Sequence, residues 1–158
     1  MCGDREGRQC GSSRTKRACI RANAESAMRR FSCPRCRERV LFEQRQCAAC
    51  GTCLAFDPCS LEMRVSDGLV CANRALTGCN WLTDEGCAYC RACSLNRTIP
   101  NLGSQSNVVL WGRVETAKRR LVYDLYRLQL PFAGLSFDIL SDQVVGPVTT
   151  GHWPALLH

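Results

Sequence analysis

Eight of the fourteen cysteines in this chain of 158 residues are spaced for metal chemistry. Cys33-Pro34-Arg35-Cys36 is followed, after ten intervening residues, by Cys47-Ala48-Ala49-Cys50-Gly51. Two residues between cysteines let one tight turn aim both thiolates at the same ion, and two such turns complete the four sulfur ligands of tetrahedral zinc. Pro34 presets φ in the first turn, and Gly51 can take the positive φ that ends the second. A second set follows in Cys71, Cys79 and the pair Cys90-Arg91-Ala92-Cys93. The expected cofactor is zinc, two structural ions, one on Cys33, Cys36, Cys47 and Cys50 and one on Cys71, Cys79, Cys90 and Cys93. Four thiolates saturate zinc and leave no position for water, so neither site is expected to be catalytic.

The remaining cysteines leave alternatives open. Cys47, Cys50 and Cys53 form a C-x2-C-x2-C run of the kind that ligates iron–sulfur clusters. The bacterial ferredoxin run requires a fourth cysteine after three residues, followed by Pro, whereas here Cys59 comes after five and Pro58 precedes it. Cys87, three before Cys90, is an alternative to Cys79 or a spare thiol, and Cys53 or Cys59 could also replace a ligand. Spacing does not decide among these.

Short β-prone runs are expected to carry the first site. Arg39 to Glu43 lies between the two cysteine turns, with Leu54-Ala55-Phe56 as its expected partner before Asp57-Pro58 ends the run. Such strands bury too little to offset their chain entropy, so metal must supply the difference, of order 10 kcal/mol for structural zinc. Arg35, Arg37 and Arg45 read as charge compensation for a thiolate cluster rather than as nucleic-acid contacts. Asn73, Asn80 and Asn96 are expected to hold loop backbone around the second metal. The sequon Asn96-Arg97-Thr98 is expected to be idle.

One helix is clear, from Asn107 to Leu130. Leu110, Val114, Ala117, Leu121, Leu125 and Leu128 recur in steps of three and four and lay one apolar stripe along it. Ser106 or Asn107 can cap its start, and Pro131 marks its end. Lys118-Arg119-Arg120 reads as a solvated face paired with Glu115 and Asp124. The stripe needs a cover, either the segment Leu135 to Leu140 or the back of the cysteine region. The fold class expected is α+β: a small metal-stapled zinc ribbon with short antiparallel strands and a second four-cysteine site, followed by an amphipathic helix.

Charge and composition narrow the function classes. The net charge is +7, but residues 1–30 hold eight Lys and Arg against three acids, leaving only +2 for the rest. Two filled tetrathiolate sites would take that remainder to about −2, so a globally basic, nucleic-acid-binding surface is not expected. Residues 1–28, with scattered Cys2, Cys10 and Cys19, read as a disordered basic tail, and the alternative that it lies outside the native product, with Met28 as the initiator, stays open. No apolar run of seven or more occurs there, so no secretory signal is read and a cytoplasmic, reducing setting is expected. No stretch of about 18 apolar residues occurs, so no membrane span is expected.

Residues 29 to about 152 resemble the N-terminal part of a bacterial family of zinc metallopeptidases that begin with a zinc ribbon. The resemblance rests on Phe31-Ser32-Cys33-Pro34-Arg35-Cys36, Cys47-Ala48-Ala49-Cys50-Gly51, Cys71-Ala72-Asn73 and Cys79-Asn80-Trp81-Leu82. It continues through Cys90 to Pro100, Ala117-Lys118-Arg119-Arg120-Leu121, Leu135-Ser136-Phe137-Asp138 and Thr150-Gly151-His152. The family's peptidase signature, His-Glu-x-x-His, should come well beyond His152. Here six residues follow, Trp153 to His158, and they leave the family pattern. Hydrolytic zinc needs histidines one turn apart and a general base, and neither His152 nor His158 is followed by Glu. The resemblance therefore implies an inactive front part: residues 29–100 a zinc-ribbon region, 101–158 a helical segment beginning a peptidase-like domain. The expected role is structural or docking, toward a protein partner or the peptidase half. The alternative is an independent zinc ribbon that binds nucleic acid or protein.

Overall fold

The computed structural model describes residues 30–141. The basic tail, Met28, Cys2, Cys10, Cys19, His152, His158 and the final six residues lie outside the described residues.

Two short hairpins frame the first cysteine set. β1 (Phe31–Ser32) pairs antiparallel with β2 (Arg39–Val40), closing the loop that carries Cys33 and Cys36. β3 (Leu54–Asp57) pairs antiparallel with β4 (Glu62–Val65), in register Leu54 to Val65 and Asp57 to Glu62. This corrects the expected pairing of Leu54–Phe56 with the run from Arg39. The turn decides it: the Asp57 carboxylate accepts from the Cys59 backbone N–H at 2.9 Å and from the Ser60 hydroxyl at 3.0 Å, an Asx turn that folds β4 back at once. The alternation Glu62-Met63-Arg64-Val65 buries Met63 and leaves its neighbours exposed, as a half-covered strand requires.

The short helix α1 (Arg74–Thr77) ends in the left-handed Gly78, φ 67°, whose N–H returns to the Arg74 carbonyl. A bend of that sign needs no Cβ, and it delivers Cys79 directly behind the helix. β5 (Asn96–Thr98), the long helix α2 (Gln105–Arg127) and β6 (Phe137–Asp138) follow. β5 and β6 form the one parallel pair of named strands among the described residues, and α2 supplies the crossover that parallel pairing demands. Arg97 pairs with Asp138 across these strands and holds that carboxyl down at about 2. The helix begins two residues before Asn107, with Ser104 at its cap, and ends at Arg127, short of Leu130.

α2 packs on the back of the cysteine region, by a face other than the leucine stripe. Its buried residues are Trp111, Glu115, Lys118, Arg119 and Val122. Tyr123 and Tyr126, half-buried, join an aromatic core in which Phe42 and Phe56 lie 4.9 Å apart between ring centres and Phe56 and Trp81 5.0 Å. Leu110, Val114, Leu121 and Leu128 are 44–56% exposed. The expected cover over the stripe is therefore absent among the described residues. The basic run is corrected with it. Lys118 and Arg119 are buried, Arg120 pairs with Glu43 at 2.6 Å, and Asp124 pairs with Arg127. Charge on the inward face is tolerated because Glu115 and Lys118 satisfy each other.

Candidate metal centres

The two CxxC turns of the first site are built alike. In one, the Arg37 N–H donates to the Cys33 carbonyl at 2.9 Å, and Cys33 N–H donates to the Glu38 carbonyl at 2.8 Å. In the other, Gly51 N–H donates to the Cys47 carbonyl and Cys47 N–H to the Thr52 carbonyl, both at 2.9 Å. The residue after each pair sits in the left-handed region, Gly51 at φ 69° as expected and Arg37 at φ 64°. Each turn thus points its two sulfurs inward from one closed loop of backbone. Cys33 lies 3.7 Å from Cys50 and Cys36 lies 3.6 Å from Cys47, measured between sulfurs.

The second site reuses half of this device. Ser94 N–H returns to the Cys90 carbonyl at 2.9 Å, closing the Cys90–Cys93 turn. Cys71 and Cys79 are brought to it by α1, the helix between them, whose Gly78 terminus sets the direction of Cys79. The Cys79 sulfur lies 3.7 Å from that of Cys90 and 3.8 Å from that of Cys93, and the Cys71 sulfur accepts from the Cys90 backbone N–H at 3.4 Å. All four residues are buried, whereas Cys36 of the first site is exposed.

These separations fit a metal. Four sulfurs about 2.3 Å from a central zinc form a tetrahedron with edges of about 3.8 Å, and a disulfide would hold its sulfurs at about 2.05 Å. Within each set all four sulfurs lie within 4.8 Å of one another. The structure therefore gathers all eight cysteines singled out by spacing, in the two expected sets, each suited to one zinc ion. Cys53, Cys59 and Cys87 are disulfide-bonded and lie outside both sets. None of the three is gathered with either set, and Cys87 is not the spare thiol that spacing left as one of its alternatives.

The protonation of the thiols points the same way. The Thr52 hydroxyl, 3.2 Å from the Cys50 sulfur, holds that thiol down at about 6. Hydrogen bonding from Cys79 holds Cys71 far below the usual thiol range, while Cys79 itself is raised by the same contact and Cys90 is raised by burial. Four thiolates this close cannot all ionise without a cation among them. A divalent ion removes that conflict.

Buried cations complete the electrostatic fit. Arg74 is buried and donates to the carbonyls of Arg45, at 3.1 Å, and Leu54. Arg119, 2% exposed, donates from Nη2 to the Thr116 hydroxyl at 3.0 Å and to the carbonyl of Thr77, the last residue of α1. Its Nε and Nη1 have no hydrogen-bond partner among the described residues. A zinc ion with four thiolates carries two negative charges, the sign that buried guanidinium groups in the same core favour.

Glu115, like Lys118 and Arg119, is buried where sequence reading placed it at the surface. It is fully buried, with one oxygen 3.5 Å from the Cys93 sulfur. Its other oxygen accepts from Lys118 Nζ at 2.6 Å, Asn96 Nδ2 at 2.9 Å and Trp111 Nε1 at 3.1 Å. α2 is thereby fastened to the outer edge of the second cluster. Asn96, expected to hold loop backbone, instead bonds these side chains. Asn80 does hold backbone, donating to the carbonyls of Phe42 and Gln44 and so tying the second site's loop to the first site's. Asn73 precedes α1 without a side-chain cap.

No described helix is long and apolar enough to cross a membrane. No solved structure matches the chain. Proteins of Mycobacterium bovis and Mycobacterium tuberculosis, each described as uncharacterized, are 36% identical over 139 aligned positions. The match takes in 79% of this chain, which spans only 40% of the length of those relatives. Residues 30–104, which include every cysteine of both clusters, match the family model of a zinc-ribbon domain.

Proposed function

We propose that the protein is a structural zinc module that docks another polypeptide and does no chemistry of its own. The observation that carries the reading is the saturation of both centres: each has four thiols within 4.8 Å of one another, and four thiolates leave zinc no site for a substrate or water. The resemblance to the front part of zinc metallopeptidases fits the same role, with the ribbon serving a domain beyond the described residues. The ligands in this reading are Cys33, Cys36, Cys47 and Cys50, and Cys71, Cys79, Cys90 and Cys93. A protein partner is favoured over nucleic acid because three cations are committed to the interior: Arg74, Lys118 and Arg119 are buried, and phosphate binding needs such groups at the surface.

The zinc-loaded chain should hydrolyse labelled casein no faster than buffer does. It should also retain no single- or double-stranded DNA or RNA between 50 and 300 mM salt. Chelator-sensitive hydrolysis would overturn the non-catalytic reading. Binding that falls steeply with salt would establish the nucleic-acid ribbon instead.

A further inference from the structure

The outward side of α2 is its apolar side. From Leu110 through Val114 and Leu121 to Leu128 the stripe climbs about five turns, roughly 27 Å, and each of these residues is 44–56% exposed. Exposed apolar surface of this length and continuity marks an interaction site. Along its outer margin Arg113, Arg120 and Arg127 recur every seven residues. The opposite margin is closed by the body of the protein, since Trp111 and Lys118 are buried there.

That asymmetry selects the occupant. A second copy packed antiparallel would set its arginine margin against this one, and a parallel copy would drive its own body into it. Arg113 makes no ion pair among the described residues, while Arg120 and Arg127 are each met by one carboxylate, Glu43 and Asp124. We propose that the stripe seats an amphipathic helix edged by carboxylates, contributed by polypeptide outside residues 30–141. Apolar side chains at i, i+3, i+4 and i+7 would fill the stripe, and the acids would meet the arginine margin. The curated relatives have the length to supply such a segment, since most of each lies outside the match. This deepens the docking reading and rests on it.

Two labelled synthetic helices of about 18 residues, five turns, serve as probes against the zinc-loaded full chain. Both carry leucine on one face; one is edged by Glu and the other by Lys. Fluorescence anisotropy should show saturable binding of the Glu-edged helix and at least about tenfold weaker binding of the Lys-edged one. Leu121→Asp should weaken the Glu-edged helix by about tenfold or more while leaving zinc content and the melting curve in place. Arg113→Glu should narrow the preference between the probes. Equal binding of both probes, or binding indifferent to Leu121→Asp, overturns the assignment. So does sedimentation as a dimer that Leu121→Asp dissociates, which would name a second copy as the occupant. The docking reading fails separately, through hydrolysis or salt-steep nucleic-acid binding.

Discussion

Cys90→Ser should leave the chain with one bound zinc and without its native second half. Cys90 is fully buried, its sulfur lies 3.7 Å from that of Cys79, and its backbone N–H donates to the Cys71 sulfur. Serine offers a harder oxygen with a far higher pKa, so the remaining three thiolates hold zinc weakly. Structural zinc contributes on the order of 10 kcal/mol to small domains, against a total stability of about 5–15 kcal/mol for a typical domain. The loss should therefore be read as unfolding rather than as a shifted midpoint. Trp81, fully buried and in the aromatic core, gives a fluorescence signal for it. Cys36→Ser should be milder, because Cys36 is exposed and water can satisfy what the sulfur leaves. If both variants kept two zinc ions and native fluorescence, the ligand assignment would be wrong.

Glu115→Ala should cost about 3–5 kcal/mol, the price of stranding a buried partner charge. Lys118 is 3% exposed, with its ammonium 2.6 Å from the Glu115 carboxylate. Without that carboxylate it keeps only Asn96 Oδ1 among its bonds, and the indole N–H of Trp111 and the amide of Asn96 lose their acceptor. The double replacement Glu115→Ala with Lys118→Met should recover much of the loss, since an apolar pair removes the stranded charge. Urea unfolding of the zinc-loaded proteins measures both. A single-variant cost below about 1 kcal/mol, or no recovery in the double, would show that the pair is not the fastening between α2 and the second site.

The cysteine sets were legible because their geometry is local. Two residues between thiols fix a turn, and the positive φ of Gly51 follows from where that turn must end. The partner of Leu54–Asp57 was misread although Asp57-Pro58-Cys59-Ser60 followed by Glu62-Met63-Arg64-Val65 already spells a turn and an alternating strand. A nearer partner closes a shorter loop and forms at lower entropy cost. The helix was legible as a helix but not in its orientation. Counting leucines points to Leu110, Val114, Leu121 and Leu128, while burial follows Trp111, Glu115, Val122 and the tyrosines. A sequence window sees Glu115 and Lys118 as solvent-facing charges. Only the fold supplies Asn96, Trp111 and Cys93 around them, and that network turns the charges inward. The parallel pairing of Asn96–Thr98 with Phe137–Asp138 spans some forty residues and has no local signal at all.

Metal content per chain, by elemental analysis with an absorbance spectrum alongside, tests the account most directly. Two four-thiol sets, each with all its sulfurs within 4.8 Å of one another, predict two zinc ions per chain and no visible colour. Iron with visible absorption, or metal-free protein that keeps its fold in chelator, would contradict it.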